Sequence, residues 1–409
     1  MRILHTGDWH LGKKLDFFSR LEEQKEVLLE ICNIADQENV DLVIVAGDLF
    51  DTFNPPVEAT ELLYKTLKTL SNNGKRPVIA IAGNHDSPDR IDSPDPLARE
   101  CGIFFFGYPN MEMRPITVEG AFDIIRVDKG FMEIKLPKYY YPARIICTPF
   151  ANEIRLKQFL GLEDKSAQLQ EALKDNWKSL ADQYCDGYGV NLLTSHLYML
   201  KRNGEILEEP EGEKPIRLGY ADLVYSDSIP SNIQYTALGH LHRYHNIGNE
   251  TQPVIYPSSP LCYSFSESGQ QKQVVIVDLE PNKTATLKAI PLQKGRPLYR
   301  KKFQSIDEAE AWLLDNPYAL VELSIESDVF LTSSDMKRLH QSHEGIIHII
   351  PIVKNINNQG NSEQQQVNLD QGIHELFTDY FKSKYKQEPN QEIMDLFEEV
   401  VSNNLDKEN

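Results

Sequence analysis

The sequence predicts an α/β protein whose core is a layered sheet with right-handed crossovers, and three observations carry that prediction. Short apolar runs rich in Val and Ile alternate with runs of helical spacing over the first part of the chain. Two of these runs, "DLVIVAG" (41–47) and "RPVIAIAG" (76–83), lack polar alternation, the mark of strands buried on both faces. Five runs lead into Asp, Asn or His, and strand C-termini are the rim at which α/β sheets bind ligands.

The elements follow in order. "RILHT" (2–6) reads as a strand, "EEQKEVLLEICNIADQ" (22–37) as a helix, 41–47 as a strand, "EATELLYKTLKTL" (58–70) as a helix and 76–83 as a strand. Further strands are expected at 144–150, 190–196, 233–240, 253–258 and 273–280, with a helix over 162–184. The polar, Gly- and Pro-containing stretch 201–219 reads as a surface loop. Near residue 285 the pattern shifts to a small α+β unit, 285–354, with strands at "ATLKAIPL", "LVELSIES" and "GIIHIIPIVK" and helices at "SIDEAEAWLLD" and "SSDMKRLHQSH". Residues 355–368 form a polar, low-complexity linker. The last segment, 369–409, reads as two amphipathic helices broken near "QEPN". Short helices are marginal in water, so their apolar positions (Ile373, Leu376, Phe377, Tyr380, Phe381; Ile393, Leu396, Phe397, Val400) need a surface to cover, on a partner or on the chain's own body.

Composition limits the function classes. The 409 residues are 41% hydrophobic and 25% charged, ordinary for a soluble globular protein. No apolar run approaches the roughly 20 residues a membrane span needs, and "MRILHTGD" enters a strand pattern with no signal-peptide character. Cys32, Cys101, Cys147, Cys185 and Cys262 are scattered, odd in number and never in C-x-x-C spacing, which argues against a disulfide framework or a thiolate zinc site and for a reducing cytoplasm. The net charge of −19 weighs against unaided nucleic-acid binding, because that affinity ordinarily comes from Lys and Arg on phosphates. A nucleic-acid role therefore requires bound cations, a local basic surface or a partner.

The strand ends carry the chemistry. Asp8 and His10 stand in "GDWHLG", Asp48 in "GDLFD", Asn84, His85 and Asp86 in "GNHDSP", His196 in "SHL", and His240 and His242 in "GHLHR". In the Asp8-x-His10 and His240-x-His242 pairs, alternation in near-extended backbone sends both side chains to one side. The preceding Gly7, Gly47, Gly83 and Gly239 allow sharp exits from the strands. A donor set mixing Asp, Asn and His lies between the carboxylate-rich sites of Mg²⁺ and Mn²⁺ and the imidazole-rich sites of Zn²⁺. So many donors exceed one ion's needs, and two ions about 3.5–4 Å apart suit phosphoester hydrolysis. Each motif alone is weak, since strand-end Asp residues commonly close turns; five in order, each behind an apolar strand, are not.

The ordered set "GDWH … GDLFD … GNHD … SHL … GHLH" resembles the calcineurin-like metallophosphoesterases. The fuller stretches "MRILHTGDWHLGK", "VAGDLFDTFNPP", "AGNHDSP" and "YPSSPLCYSFSE" resemble the branch of DNA-repair nuclease subunits within that family. The resemblance implies a four-layer sandwich, two mixed sheets flanked by helices, over 1–280, followed by an α+β capping domain that meets DNA and a helical partner-binding tail. It further implies that Asp8, His10, Asp48 and His242 hold one metal and Asp48, Asn84, His196 and His240 the second, with Asp48 bridging. The ion implied is Mn²⁺, with Mg²⁺ as the other choice. His85 then sits at the scissile phosphate, stabilising charge or protonating the leaving oxygen, while Asp86 braces the loop. The implied activity is exonucleolytic and endonucleolytic DNA cleavage beside a long coiled-coil ATPase, with a nuclease homodimer inside a heterotetramer in the nucleoid-associated cytoplasm. Two departures stand out: Asp51 where some relatives carry histidine, and Ser258 where relatives often carry glycine.

Other readings stay open at this level. A phosphodiesterase or phosphatase acting on small molecules or phosphoproteins shares the motifs, although "GNHD" differs from "GNHE" and no Arg-Gly follows "GDLFD". A non-catalytic DNA scaffold or ATPase regulator would be marked by missing ligands, and none is missing. His5, inside the first strand, reads as structural, His245 as a bystander, and His340, His343, His348 and His374 as surface or packing residues. Lys13, Lys14 and Arg243 read either as phosphate contacts or as solvated surface.

Overall fold

The computed structural model describes residues 1–157, 165–209, 223–327 and 331–353, together with Phe377, Thr378 and Met394. The chain divides into two units, Met1–Lys354 and Asn355–Asn409. Those last three positions apart, the linker and tail helices expected over 355–409 lie outside the described residues.

The principal elements of the first unit are β1 (Arg2–Thr6), α1 (Leu21–Gln37), β2 (Leu42–Ala46), α2 (Val57–Leu70), β3 (Val78–Ile81), β4 (Ile103–Phe106), β5 (Ile116–Val118), β6 (Phe122–Asp128), β7 (Phe131–Lys135), β8 (Ala143–Thr148), α3 (Lys165–Tyr184), β9 (Val190–His196), β10 (Tyr235–Gly239), β11 (His245–Asn246), β12 (Val254–Tyr256), β13 (Gln273–Asp278) and β14 (Thr286–Pro291). After them come β15 (Leu298–Phe303), α4 (Ile306–Asp315), β16 (Leu320–Ser327), α5 (Ser333–Ser342) and β17 (Ile346–Val353).

Two mixed sheets stack face to face. The first runs β14-β13-β1-β2-β3-β4, and the second β11-β12-β10-β9-β8-β7-β6-β5. Within the first, β1 to β4 are parallel and β13 is antiparallel to β1. Within the second, β8, β9, β10 and β12 are parallel. Side-chain alternation divides each central strand between two cores. Ile44, Ile79, Ile145, Leu192 and Ala237 point into the seam between the sheets. Val43, Val45, Val78 and Ala80 pack instead on Leu28, Ile31, Leu63 and Leu67 of α1 and α2. On the opposite outer face, Ile146, Leu193 and Leu238 meet Leu173 and Trp177 of α3. The order helix, sheet, sheet, helix is why the strands read as unbroken apolar runs: both faces are covered. Among the described residues no helix is long and apolar enough to cross a membrane, and all five cysteines are free thiols.

The antiparallel run β5-β6-β7 was not expected, although "DIIRVDKGFMEIK" carries the alternation and the Asp-Lys-Gly turn of a hairpin. The "ATLKAIPL" strand, expected to open the later unit, pairs antiparallel with β13 and ends the first sheet. As an edge strand with mostly exposed side chains, it carries no pattern that assigns it to one sheet over another. The small parallel sheet β15-β16-β17 has its own core of Phe303, Leu313, Leu323, Leu339 and Ile346.

Candidate metal centre

The exits of β1 and β2 are joined beyond the end of the sheet. The Asp8 amide donates to Gly47 O at 2.9 Å, the His10 amide to Asp48 O at 2.9 Å, and the Leu11 amide to Leu49 O at 3.0 Å. This ladder brings Asp8, His10 and Asp48 together, and all three take left-handed backbone, with φ of 54°, 45° and 46°. Such angles are unfavourable for non-glycine residues and cluster where function fixes them. His240, at φ 108°, and Ser258, at φ 92°, add to the strain. The latter angle is the physical reason that position favours glycine; here the buried Ser258 hydroxyl accepts from the Gln273 amide at 3.0 Å. Glycines at the strand exits serve mainly by their size. Gly83 and Gly239 lack positive φ, but a Cβ at either would overlap Asp48 or Ala46 O respectively.

The donor atoms from the two sheets converge. Asp48 Oδ2 lies 3.5 Å from His10 Nε2 and 3.3 Å from His196 Nε2, between the two rings. His10 Nε2 and His242 Nε2 face each other at 3.0 Å. His196 Nδ1 donates to Ala46 O at 2.9 Å, and its Nε2 approaches Asn84 Oδ1, also at 2.9 Å. His240 holds Asp8 Oδ1 through its amide at 2.7 Å, while its Nε2 meets Glu209 Oε1 at 2.7 Å. Asp8, His10, His196, His240, His242 and Asp48 are all buried. Burial works against charge on Asp48, but the imidazoles of His196 and His10 outweigh it and hold the carboxyl well below its usual range. Burial likewise opposes charge on His196, yet Asp48 and Asp8 lift that imidazole to about 9.

The "GNHD" turn is fixed from three sides. Asp86 accepts from the amides of Gly83 (2.8 Å), Leu49 (3.0 Å) and Phe50 (2.9 Å), so its carboxylate ties this turn to the β2 exit. The His85 amide donates to Asp48 Oδ1 at 2.9 Å, and its Nδ1 donates to Asp51 O at 2.7 Å. Arg155 donates to Gly83 O and Asp86 O, both at 2.7 Å, with its guanidinium 4.8 Å from the centre of the Phe150 ring. Asp51 itself stands between His10 Nδ1 (3.6 Å) and Lys13 Nζ (3.0 Å), which ties Lys13 to the site's edge.

Residues 1–244 match the family model of the calcineurin-like phosphoesterases. The chain belongs to that family. Among curated relatives, the SbcCD nuclease protein SbcD of Bacillus subtilis (strain 168) is 35% identical over 98% of this chain and 98% of its own length. The proteins of the same name from Staphylococcus epidermidis and Rhodobacter capsulatus are each 30% identical over 73% of this chain and 71% of their own length.

Calcineurin-like phosphoesterases are metal-dependent enzymes whose members bind two divalent ions, and the donors here fit that demand. Asp8, His10 and His242 offer atoms within 4.8 Å of one another, as do Asp8, Asp48 and His196. Asp8 Oδ2 is buried without a hydrogen-bond partner among the described residues, the condition expected of a carboxylate oxygen that binds a cation. His5 stands apart from this set, buried between the sheets with Nδ1 2.8 Å from Tyr235 Oη and Nε2 3.0 Å from Leu238 O. His245 pairs along the backbone with Tyr256. His343 is a packing residue bonded to Asn316 O at 3.0 Å, His340 is exposed, and His348 bridges Asp16 and Glu322.

Several supporting residues had no role assigned from the sequence. Arg155 and Gln24 lie in ordinary helical stretches with no local signal, yet Gln24 Nε2 donates to His10 O at 2.7 Å. Glu267 was within sight in "YPSSPLCYSFSE"; its Oε1 is 3.3 Å from His242 Nδ1. Burial would raise its carboxyl, but Lys272 and His242 prevail and bring it down to about 2.

Proposed function

We propose that this chain is the nuclease component of an SbcCD-type complex, a metal-dependent enzyme hydrolysing DNA phosphodiester bonds in repair and recombination. The end-to-end match with the Bacillus subtilis protein carries the reading. The finer assignment has Asp8, His10, Asp48 and His242 holding one ion and Asp48, Asn84, His196 and His240 the other. The position of Asp48 Oδ2 between His10 and His196 supports the bridging role. Mn²⁺ is the ion that the family resemblance implies, with Mg²⁺ second, and the mixed Asp, Asn and His donors are compatible with it. Such ions supply Lewis-acid polarisation of the phosphoryl oxygens and a bound water of lowered pKa.

The chain's own groups do the rest. His85 engages Asp51 O through Nδ1, so its proton-exchanging atom at the scissile phosphate is Nε2, placed to stabilise charge or protonate the leaving oxygen. Asp86 and Arg155 keep the turn that carries Asn84 and His85 in place. Double-strand exonuclease and single-strand or hairpin endonuclease activity complete the proposal. An SbcC-type ATPase docks on the segment 369–409, whose sequence leads to the expectation of two amphipathic helices, and two copies of the nuclease pair within a heterotetramer in the nucleoid-associated cytoplasm. The partner also answers the charge objection, since a chain of net charge −19 needs help to hold DNA.

The test is cleavage of blunt, hairpin and blocked-end DNA with Mn²⁺, with and without the ATPase and ATP. The expected result is cleavage that is lost in Asp8→Ala. Hydrolysis of bis(p-nitrophenyl) phosphate with no DNA cleavage in any mixture would replace this reading with a small-molecule phosphodiesterase. No hydrolysis of either substrate would leave the scaffold reading.

A further inference from the structure

We propose that Glu267 and Lys272 form a buried positioning pair that sets the tautomer and ring plane of His242 for metal binding. The inference rests on the reading of His242 as a metal ligand. The two ring nitrogens of His242 meet different chemistry: Nδ1 lies 3.3 Å from Glu267 Oε1, and Nε2 lies 3.0 Å from His10 Nε2. An ionised carboxylate only accepts, so Nδ1 carries the hydrogen and Nε2 presents its lone pair toward the convergence point.

Lys272 grips the same histidine at a second point. Its Nζ donates to Glu267 Oε2 at 2.6 Å and to the main-chain oxygen of His242 at 2.6 Å, with Gln270 Oε1 at 3.2 Å as a third acceptor. Glu267 Oε1 also accepts from the Tyr263 amide at 3.2 Å. Lys272, Glu267 and His242 are 6%, 3% and 3% exposed. A buried ion pair adds little stability over apolar residues of equal volume, so stability alone does not account for one that touches both the ring and the backbone of a single histidine. His196 Nδ1 hydrogen-bonds the neutral Ala46 carbonyl, with Asp8 Oδ1 farther off at 3.8 Å; a carboxylate hydrogen-bonded behind His242 raises the basicity of its ring. The segment carrying the pair is anchored on its far side, where the Ser268 hydroxyl donates to Leu298 O at 2.7 Å and Phe265 packs with Leu298, Leu320 and Ile347.

The experiment is Mn²⁺ titration of the full chain, by calorimetry and by electron paramagnetic resonance of free Mn²⁺, beside thermal melts of the metal-free proteins. Glu267→Gln is expected to weaken one of the two Mn²⁺ sites about 10- to 100-fold and leave the other unchanged. Because that variant strands the Lys272 ammonium, Glu267→Gln/Lys272→Met is measured as well; its melting temperature should return toward wild type while the weak site stays weak. Affinity that recovers together with the melting temperature, or that stays within twofold of wild type in both variants, overturns the positioning role. His242→Ala separates the two readings. Loss of one Mn²⁺ there upholds the ligand assignment whatever Glu267 does, whereas two tight sites in His242→Ala sink the ligand assignment and this proposal with it.

Discussion

His85 is held through its amide by Asp48 and through Nδ1 by a main-chain carbonyl, so removing its imidazole takes away the proposed proton-exchanging group while sparing every proposed ligand side chain. His85→Ala should lower the Mn²⁺-dependent hydrolysis rate at least about 100-fold with unchanged Mn²⁺ stoichiometry, as read by steady-state cleavage and calorimetry; a rate near wild type would remove His85 from the reaction. His5 makes a prediction of another kind. Burial pushes its imidazole down to about 3, against partial compensation from the Leu238 carbonyl. Between about pH 6.5 and pH 3 the unfolded chain therefore binds a proton that the native protein does not. Its contribution is full above pH 6.5 and falls as pH drops through that window, by about 1.4 kcal/mol per pH unit. His5→Gln keeps a donor and an acceptor but cannot titrate, so the stability gap between wild type and variant in urea melts should narrow from pH 7 to pH 4. A constant gap would contradict the neutral, buried state. The residues proposed to bind metal or react were legible because they sit in short motifs behind apolar strands. Arg155 was not, because it meets Gly83 and Asp86 across about 70 residues of chain, and Glu267 and Lys272 were not, because the pair takes its proposed role only from the contact with His242.

At the scale of elements, the site depends on how loops leave the strands. The β1 and β2 exits are zipped by main-chain hydrogen bonds, and the β3 exit is tied to them through Asp86. Arg155, from a short helix after β8, closes the arrangement by capping Gly83 O and Asp86 O. Arg155→Met should cost about 3 kcal/mol in denaturant unfolding, as two carbonyls lose a charged donor, and should lower the cleavage rate through a loosened His85. Arg155→Lys, with one compact ammonium in place of a planar fork, should recover only part of either loss. Equal rates in all three proteins would mean that the turn holds without the clamp. The strands feeding the site were legible from their apolar runs, whereas β6 and β7, which only widen the second sheet, show the weaker alternation of a hairpin, and β14 was legible as a strand but not as the edge of the first sheet.

Taken whole, the first unit is two sheets whose strand ends each supply half of the candidate metal centre: Asp8, His10, Asp48 and the proposed ligand Asn84 from the first, His196, His242 and the proposed ligand His240 from the second. Without cations the seam brings two buried carboxylates among four imidazoles, and a cleft beside it is lined by Glu205, Glu208 and Glu209 as well as His242. Divalent ions held by these residues would staple sheet to sheet and offset acidic charge, which would link metal binding to stability. At a metal concentration about 100 times Kd, one site adds about 2.7 kcal/mol, enough to raise the melting temperature by several degrees. Mn²⁺ should therefore stabilise the wild-type chain in thermal melts, and a chelator should reverse the effect. Asp48→Asn should erase most of the shift even if relief of a buried charge leaves the metal-free variant as stable as wild type, because Asp48 lies between His10 and His196 and so between both halves. His245→Ala, which alters a neighbour outside the converging set, should keep the full shift. An equal shift in Asp48→Asn would mean that the stabilising ion binds elsewhere and that the seam between the sheets is not the metal centre.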